Sequence, residues 1–149
     1  MRSSRVNSDV PIGGNAYTEA LQKDFQLPQE SADLLKRGYA ADGLDATQTG
    51  PSLLMVTEAV LLEVQKTLDF FRGTTGADHI DQLLVTGGGA QVAGLVDALH
   101  ERLGIPVEFL DPFKTVSFDA AKFGVPVLSE AAAAATVAVG LALRRMGDR

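Results

Sequence analysis

From Ser52 onward, apolar residues return every three or four positions, at Leu53, Val56, Val60, Leu61, Val64, Leu68 and Phe71. That spacing lays one apolar stripe along a helix, which Arg72 and Gly73 should close. The segment IDQLLVT at 80–86 changes period and predicts a buried strand, followed by a tight turn at Gly87, Gly88 and Gly89. Val92, Leu95, Val96, Leu99 and Leu103 restore the helical spacing, and Gly104 stops it. IPVEFL at 105–110 reads as a second short strand, with Pro106 acceptable near its start. Strand, helix and strand on short connections predict a right-handed βαβ unit with parallel strands. After a loop through Phe113 and Lys114, a last helix is expected over about 129–145. Its sequence, EAAAAATVAVGLALRR, has almost no polar face, which predicts a helix buried all round and packed on the sheet by small residues.

Ahead of these elements the pattern is weaker. The first nine residues carry little periodicity. VPIGGNAYT at 10–18 is a glycine turn opening onto a helix, with Asn15 as its expected N-cap. Pro28 marks a break, and a second short helix is expected over about 29–37 until Gly38 stops it. Residues 39–51, YAADGLDATQTGP, are small, polar and turn-forming, and predict a loop. No pattern recurs at a period of 20–50 residues, which argues against solenoids and propellers.

Composition narrows the class. A chain of 149 residues makes one ordinary domain or two small subdomains with a real core. A hydrophobic fraction of 46% and a charged fraction of 21% suit a soluble globular protein, expected in the cytoplasm. Thirteen Lys and Arg against 19 Asp and Glu give −6, which argues against a nucleic-acid partner. The absence of Cys excludes disulfides, Cys-based zinc sites and thiol catalysis. His79 and His100 are too few for a His-rich metal centre and read as surface residues. The opening MRSSRVNSDVP lacks the apolar core of a signal peptide. The apolar stretch at 131–143 is too short to cross roughly 30 Å of hydrocarbon, so no membrane insertion is expected.

Three clusters carry candidate chemistry. The Gly87-Gly88-Gly89 turn lies between a strand and a helix, where glycines admit a ligand to the backbone and a helix N-terminus offers N–H groups. A ligand-free βα turn would use the same glycines, and both readings stand. It is not a dinucleotide fingerprint, which would place glycine at Val92, and no Gly-Lys-Ser/Thr follows to make a Walker A loop. Gly13, Gly14 and Asn15 form a second anion-friendly turn, which alone reads as punctuation. Asp33, Lys36 and Arg37 share one helix face, and by themselves read as a solvated salt-bridge face. No GxSxG elbow is present to suggest a hydrolase.

Taken in order, these segments resemble a known family. IGGNAYTEAL, SADLLKRG, a helix ending LDFFRG, LLVTGGGAQVAGLVDALHERLGIPVEFLDPF and VAVGLALRR look like the C-terminal part of the PilM family, over about residues 9–145. These are actin-like ATP-binding proteins of type IV pilus assembly, relatives of the division protein FtsA. The resemblance implies an α/β fold, the truncated second lobe of an actin-like (ribonuclease-H-like) architecture with a parallel βαβ core and packed helices. Residues 1–13 would end a truncated strand region, 14–50 form an inserted, mostly helical subdomain, and 51–149 form the core of the lobe.

It also implies site residues. Gly13, Gly14 and Asn15 match the end of a phosphate region. Asp33, Lys36 and Arg37 match a Glu-x-x-Lys-type helix that reaches the adenosine, with Asp33 standing where the family usually has Glu. Gly87, Gly88, Gly89 and Gln91 match the adenosine motif. The first lobe, with its phosphate loop and magnesium-positioning acid, has no counterpart here, nor do the opening strands of the second. ATP with magnesium therefore belongs to the complete protein; this chain is expected to bind nucleotide weakly or not at all, and not to hydrolyse it. The implied role is a cytoplasmic scaffold at the inner-membrane pilus platform, alongside other pilus assembly proteins. The tail of a PilN-type membrane protein would dock on the first lobe. An uncovered sheet edge implies self-association. The alternatives are an FtsA-like division protein, which would carry a further amphipathic helix, a kinase lobe, which needs a catalytic Asp from elsewhere, and a ligand-free structural module.

Overall fold

The computed structural model describes residues 8–76, 79–114, 116 and 125–144. Its elements are α1 (Gly14–Phe25), α2 (Gln29–Lys36), α3 (Ala46–Thr75), β1 (Leu83–Val85), a 3₁₀ turn (Gly88–Gln91), α4 (Leu95–Leu103), β2 (Val107–Phe109) and α5 (Val125–Ala142). The fold is helix-rich α/β with a small parallel sheet.

α1 starts on extended Gly13, with no side-chain cap; the expected cap, Asn15, lies exposed inside the first turn. α2 places Glu30 in its first turn and Lys36 in its last, both favourable to the helix dipole, and Gly38 follows at φ 90°. The loop expected over 39–51 is shorter than its composition suggested. Asp42 and Gly43, both at positive φ, make a tight turn in which Ala41 and Leu44 exchange backbone hydrogen bonds of 3.1 and 2.9 Å. The third helix then begins at Ala46, ahead of the expected Ser52, because Asp45 caps it. The Asp45 carboxylate accepts from the N–H groups of Thr47 and Gln48 at 2.8 and 3.4 Å, and the Gln48 side chain accepts from the Asp45 N–H at 2.9 Å. This reciprocal box satisfies N-terminal donors and carries the helix through Pro51. The helix also passes Gly73 and stops at left-handed Gly76, whose N–H donates to the Arg72 carbonyl at 3.0 Å.

β1 and β2 pair in parallel, with Leu83 opposite Val107, Leu84 opposite Glu108 and Val85 opposite Phe109, and α4 connects them. Both strands are shorter than predicted, and the first is not buried: Leu84 is 50% exposed while Leu83 and Val85 pack against the core. One apolar cluster joins Tyr17 and Leu21 of α1, Ala32 and Leu35 of α2, Leu53 and Leu61 of α3, Val92, and Leu95 and Leu99 of α4. The spacing by four within α1 and α4, and by eight within α3, is the helical repeat that places residues on one face. Each fully buried leucine contributes about 1.5–3 kcal/mol relative to exposure. Tyr17 carries a hydroxyl into this core and shares a 3.1 Å hydrogen bond with Thr57. Burial pushes its phenol above the ordinary value, and the bond to Thr57 opposes the shift.

α5 corrects the expectation of a helix buried all round. Val137 and Leu141 are exposed, as is Leu143 just beyond its end. It meets the rest of the chain along one side, near the 3₁₀ turn, where the Thr136 and Thr86 hydroxyls lie 2.7 Å apart. Among the described residues, no helix is long and apolar enough to cross a membrane.

Candidate functional site

The glycine turn follows the carboxyl end of β1. Gly87 has φ 90°, a conformation that side chains other than glycine rarely adopt, and its carbonyl accepts from the Ala90 N–H at 3.2 Å. Two other parts of the chain close on this turn. The first residue of α1 touches it: a Cβ on Gly14 would lie 3.2 Å from Gly89 Cα, and a Cβ on Gly89 would lie 3.2 Å from Gly14 N. The end of α2 holds the segment that follows the turn, where the Lys36 carbonyl accepts from the Ala93 N–H at 2.9 Å.

Behind these contacts lies a three-residue ring. The Lys36 ammonium donates to Asp33 Oδ1 at 2.5 Å and to Thr18 Oγ1 at 2.8 Å, and the Thr18 hydroxyl donates to Asp33 Oδ1 at 2.8 Å. Lys36 is only 8% exposed, so the reading of this face as solvated is overturned for its central cation; Arg37, by contrast, is exposed. A buried ammonium keeps its charge only with acceptors in reach, and the core leaves it two. The hydrogen bond from Lys36, and then that from Thr18, hold the Asp33 carboxyl below the usual carboxylate range.

On the other side of the turn, Gln91 borders a groove of about 330 Å³. Its walls include Val85 and Leu110 at the carboxyl ends of the strands and Ala132 of α5, with Asp111 at the rim. One Asp111 oxygen is engaged by the Phe113 N–H at 2.9 Å. Carboxyl ends of parallel strands are where open α/β sheets take ligands, and the volume lies in the lower range of small-molecule pockets.

Residues 6–146 match the sequence profile of the family described as type IV pilus assembly protein PilM. The chain belongs to the PilM family. Among solved structures it is similar to a chain of a PilM-PilN type IV pilus biogenesis complex, with a TM-score of 0.72 and 28% identity. That match covers 88% of this chain and 36% of the other, so this chain spans little more than a third of its neighbour's length.

Within this PilM-family chain, the segments singled out from the sequence fall into two groups. Gly14, Asp33, Lys36 and Gly89 are drawn into one connected cluster, although they come from three separate stretches. Asn15 and Arg37 stay exposed, and a Cβ on Gly13, Gly87 or Gly88 would meet nothing within 4 Å. Thr18 was missed by sequence reasoning. Its signal was its position one turn after Gly14, between the buried Tyr17 and Leu21, where a polar residue needs an internal partner.

Proposed function

We propose that this PilM-family chain supplies the adenosine side of an ATP clamp in an actin-like scaffold for type IV pilus assembly. The observation that carries the reading is the meeting of Gly14 with Gly89 in the glycine turn, with the end of α2 holding Ala93 just after it, beside a groove of small-molecule size. A glycine backbone free of side chains accepts a flat base at close range. The apolar strand ends would cover the base, and the Gln91 amide can both donate to and accept from its edge. The first turn of α1, at Gly13 and Gly14, presents backbone N–H groups suited to an anion. ATP with magnesium, when bound, supplies the charge on which two lobes close. Phosphoryl transfer depends on positioning from both sides, so hydrolysis by this chain alone is not expected.

Two lobes of an actin-like protein close on a nucleotide, and in this reading the chain contributes one of them, in the cytoplasm, reaching the membrane through a PilN-type partner. Its resemblance in fold to a chain of a PilM-PilN complex supports that partner. Calorimetric titration with Mg-ATP tests the first part. Binding weaker than micromolar is expected for the chain alone, with a large gain when the remainder of a PilM-family protein is added. No adenine-nucleotide binding by the assembled protein would overturn the reading. A peptide with the sequence of a PilN cytoplasmic tail should be retained by the assembled protein and not by this chain; retention by the chain alone would move the partner site onto it.

A further inference from the structure

We propose that Thr18, Asp33 and Lys36 are positioning residues that set the placement of the glycine turn, and that Lys36 does not itself contact the nucleotide; the nucleotide part of this rests on the adenosine reading above. The ring they form bolts α1 to α2, and each helix holds one part of the segment at 87–93. Gly14, one turn before Thr18 on α1, abuts Gly89, while the backbone carbonyl of Lys36 holds Ala93. The apolar cluster that includes Leu21 and Leu35 brings the helices together, but apolar packing has no preferred direction. The three hydrogen bonds, at 2.5 to 2.8 Å, supply the direction.

The occupancy of Lys36 argues against a ligand role. Its side chain is 10% exposed and directed at two internal acceptors. To reach a nucleotide it would have to give up both acceptors, and it would leave the buried Thr18 hydroxyl without its cation. Asp33 is suited to the same task. Its short carboxylate ends on Lys36 and Thr18, both within 2.8 Å.

Thr18→Val decides between the two roles. Valine keeps the shape of threonine and removes all three hydroxyl bonds, to Asp33, to Lys36 and, at 3.4 Å, to the Gly14 carbonyl, while Thr18→Ser keeps the hydroxyl. For a positioning ring, amide hydrogen exchange at Ala93 should accelerate about tenfold in Thr18→Val, with Leu61 in the core of α3 unchanged, and Thr18→Ser should restore it. ATP, titrated as the probe and followed through the Gly88 and Gly89 amide resonances, should bind several-fold more weakly to the valine variant. Tighter ATP binding would mean that freeing Lys36 makes it a ligand, and would overturn the proposal. Unchanged exchange at Ala93 would overturn it as well. Faster exchange at Ala93 in a chain that shows no ATP response at all would uphold the positioning of the segment and remove only the adenosine reading.

Discussion

α2 and α5 are opposites in composition and in burial, and the wrong way round for a simple hydropathy rule. α2, QESADLLK, is more than half polar, yet Ala32 and Leu35 have no exposed surface and Lys36 is buried beside them. α5 is built almost wholly from alanine, valine, leucine and glycine, yet Val137 is 70% and Leu141 59% exposed. The difference lies in the neighbours. α2 is short and lies against α1, α3 and the segment after the glycine turn, so each inward position has something to touch. Among the described residues, α5 meets the molecule near the 3₁₀ turn and leaves Val137 and Leu141 in water. Apolar composition states what a helix gains from burial; the surrounding elements decide whether the gain is available.

The sharpest way to break this comparison is to place the same charge in both helices. Leu35→Asp puts an unpaired carboxylate in the centre of the core, and about 4 kcal/mol or more of destabilisation is expected, enough to lose cooperative unfolding in denaturant. Leu35→Ala, which leaves a cavity without a charge, should cost about 2–5 kcal/mol, read from the shift in the urea midpoint. If either variant melts like the wild type, α2 is not part of the core.

Acid sharpens the electrostatic half. The Asp33 carboxyl is held below its ordinary range in the folded chain, so the folded state favours its ionised form. That stability is present above the unfolded carboxylate value, near pH 4, and is lost as pH falls through the lower folded value. Melting temperatures taken from pH 6 downward should therefore fall more steeply below about pH 4 for the wild type than for Asp33→Asn. Parallel curves would show that the ring adds no linked stability. The Asp33 side chain is about one-third exposed, so a small difference is expected.

Tyr17→Phe removes the hydroxyl shared with Thr57 and should cost about 1 kcal/mol, because Thr57 is left buried without that partner. Leu141→Asp should be the mildest change, within about 0.5 kcal/mol in thermal melting, since the leucine already faces water. A large loss there would mean that this face of α5 is covered in solution, and the contrast with α2 would vanish.

Much of the architecture could be read from local pattern. The order of strand, glycine turn, helix and strand was legible, because period changes and glycines report on neighbouring residues alone. So were the stop of α2 at Gly38 and the stop of α4 at Gly104. The start of α3 was not, although its signal was present. Asp45 and Gln48 form a capping box three residues apart, but Gly50 and Pro51 marked the stretch as loop, and the cap prevailed. Asn15 fitted the composition of a cap and lost the position to Gly13.

The sequence by itself determined the helical and extended segments, the placement of the glycines, and the family to which the chain belongs. Only the tertiary structure decided that Gly14 meets Gly89, that Thr18 joins Asp33 and Lys36, and that a nearly all-apolar last helix keeps one face in water. Periodicity is a property of a few consecutive residues and is therefore written locally. Burial and hydrogen-bond partnership depend on segments far apart in the chain, and they exist only once the apolar cluster has drawn α1, α2, α3 and α4 together.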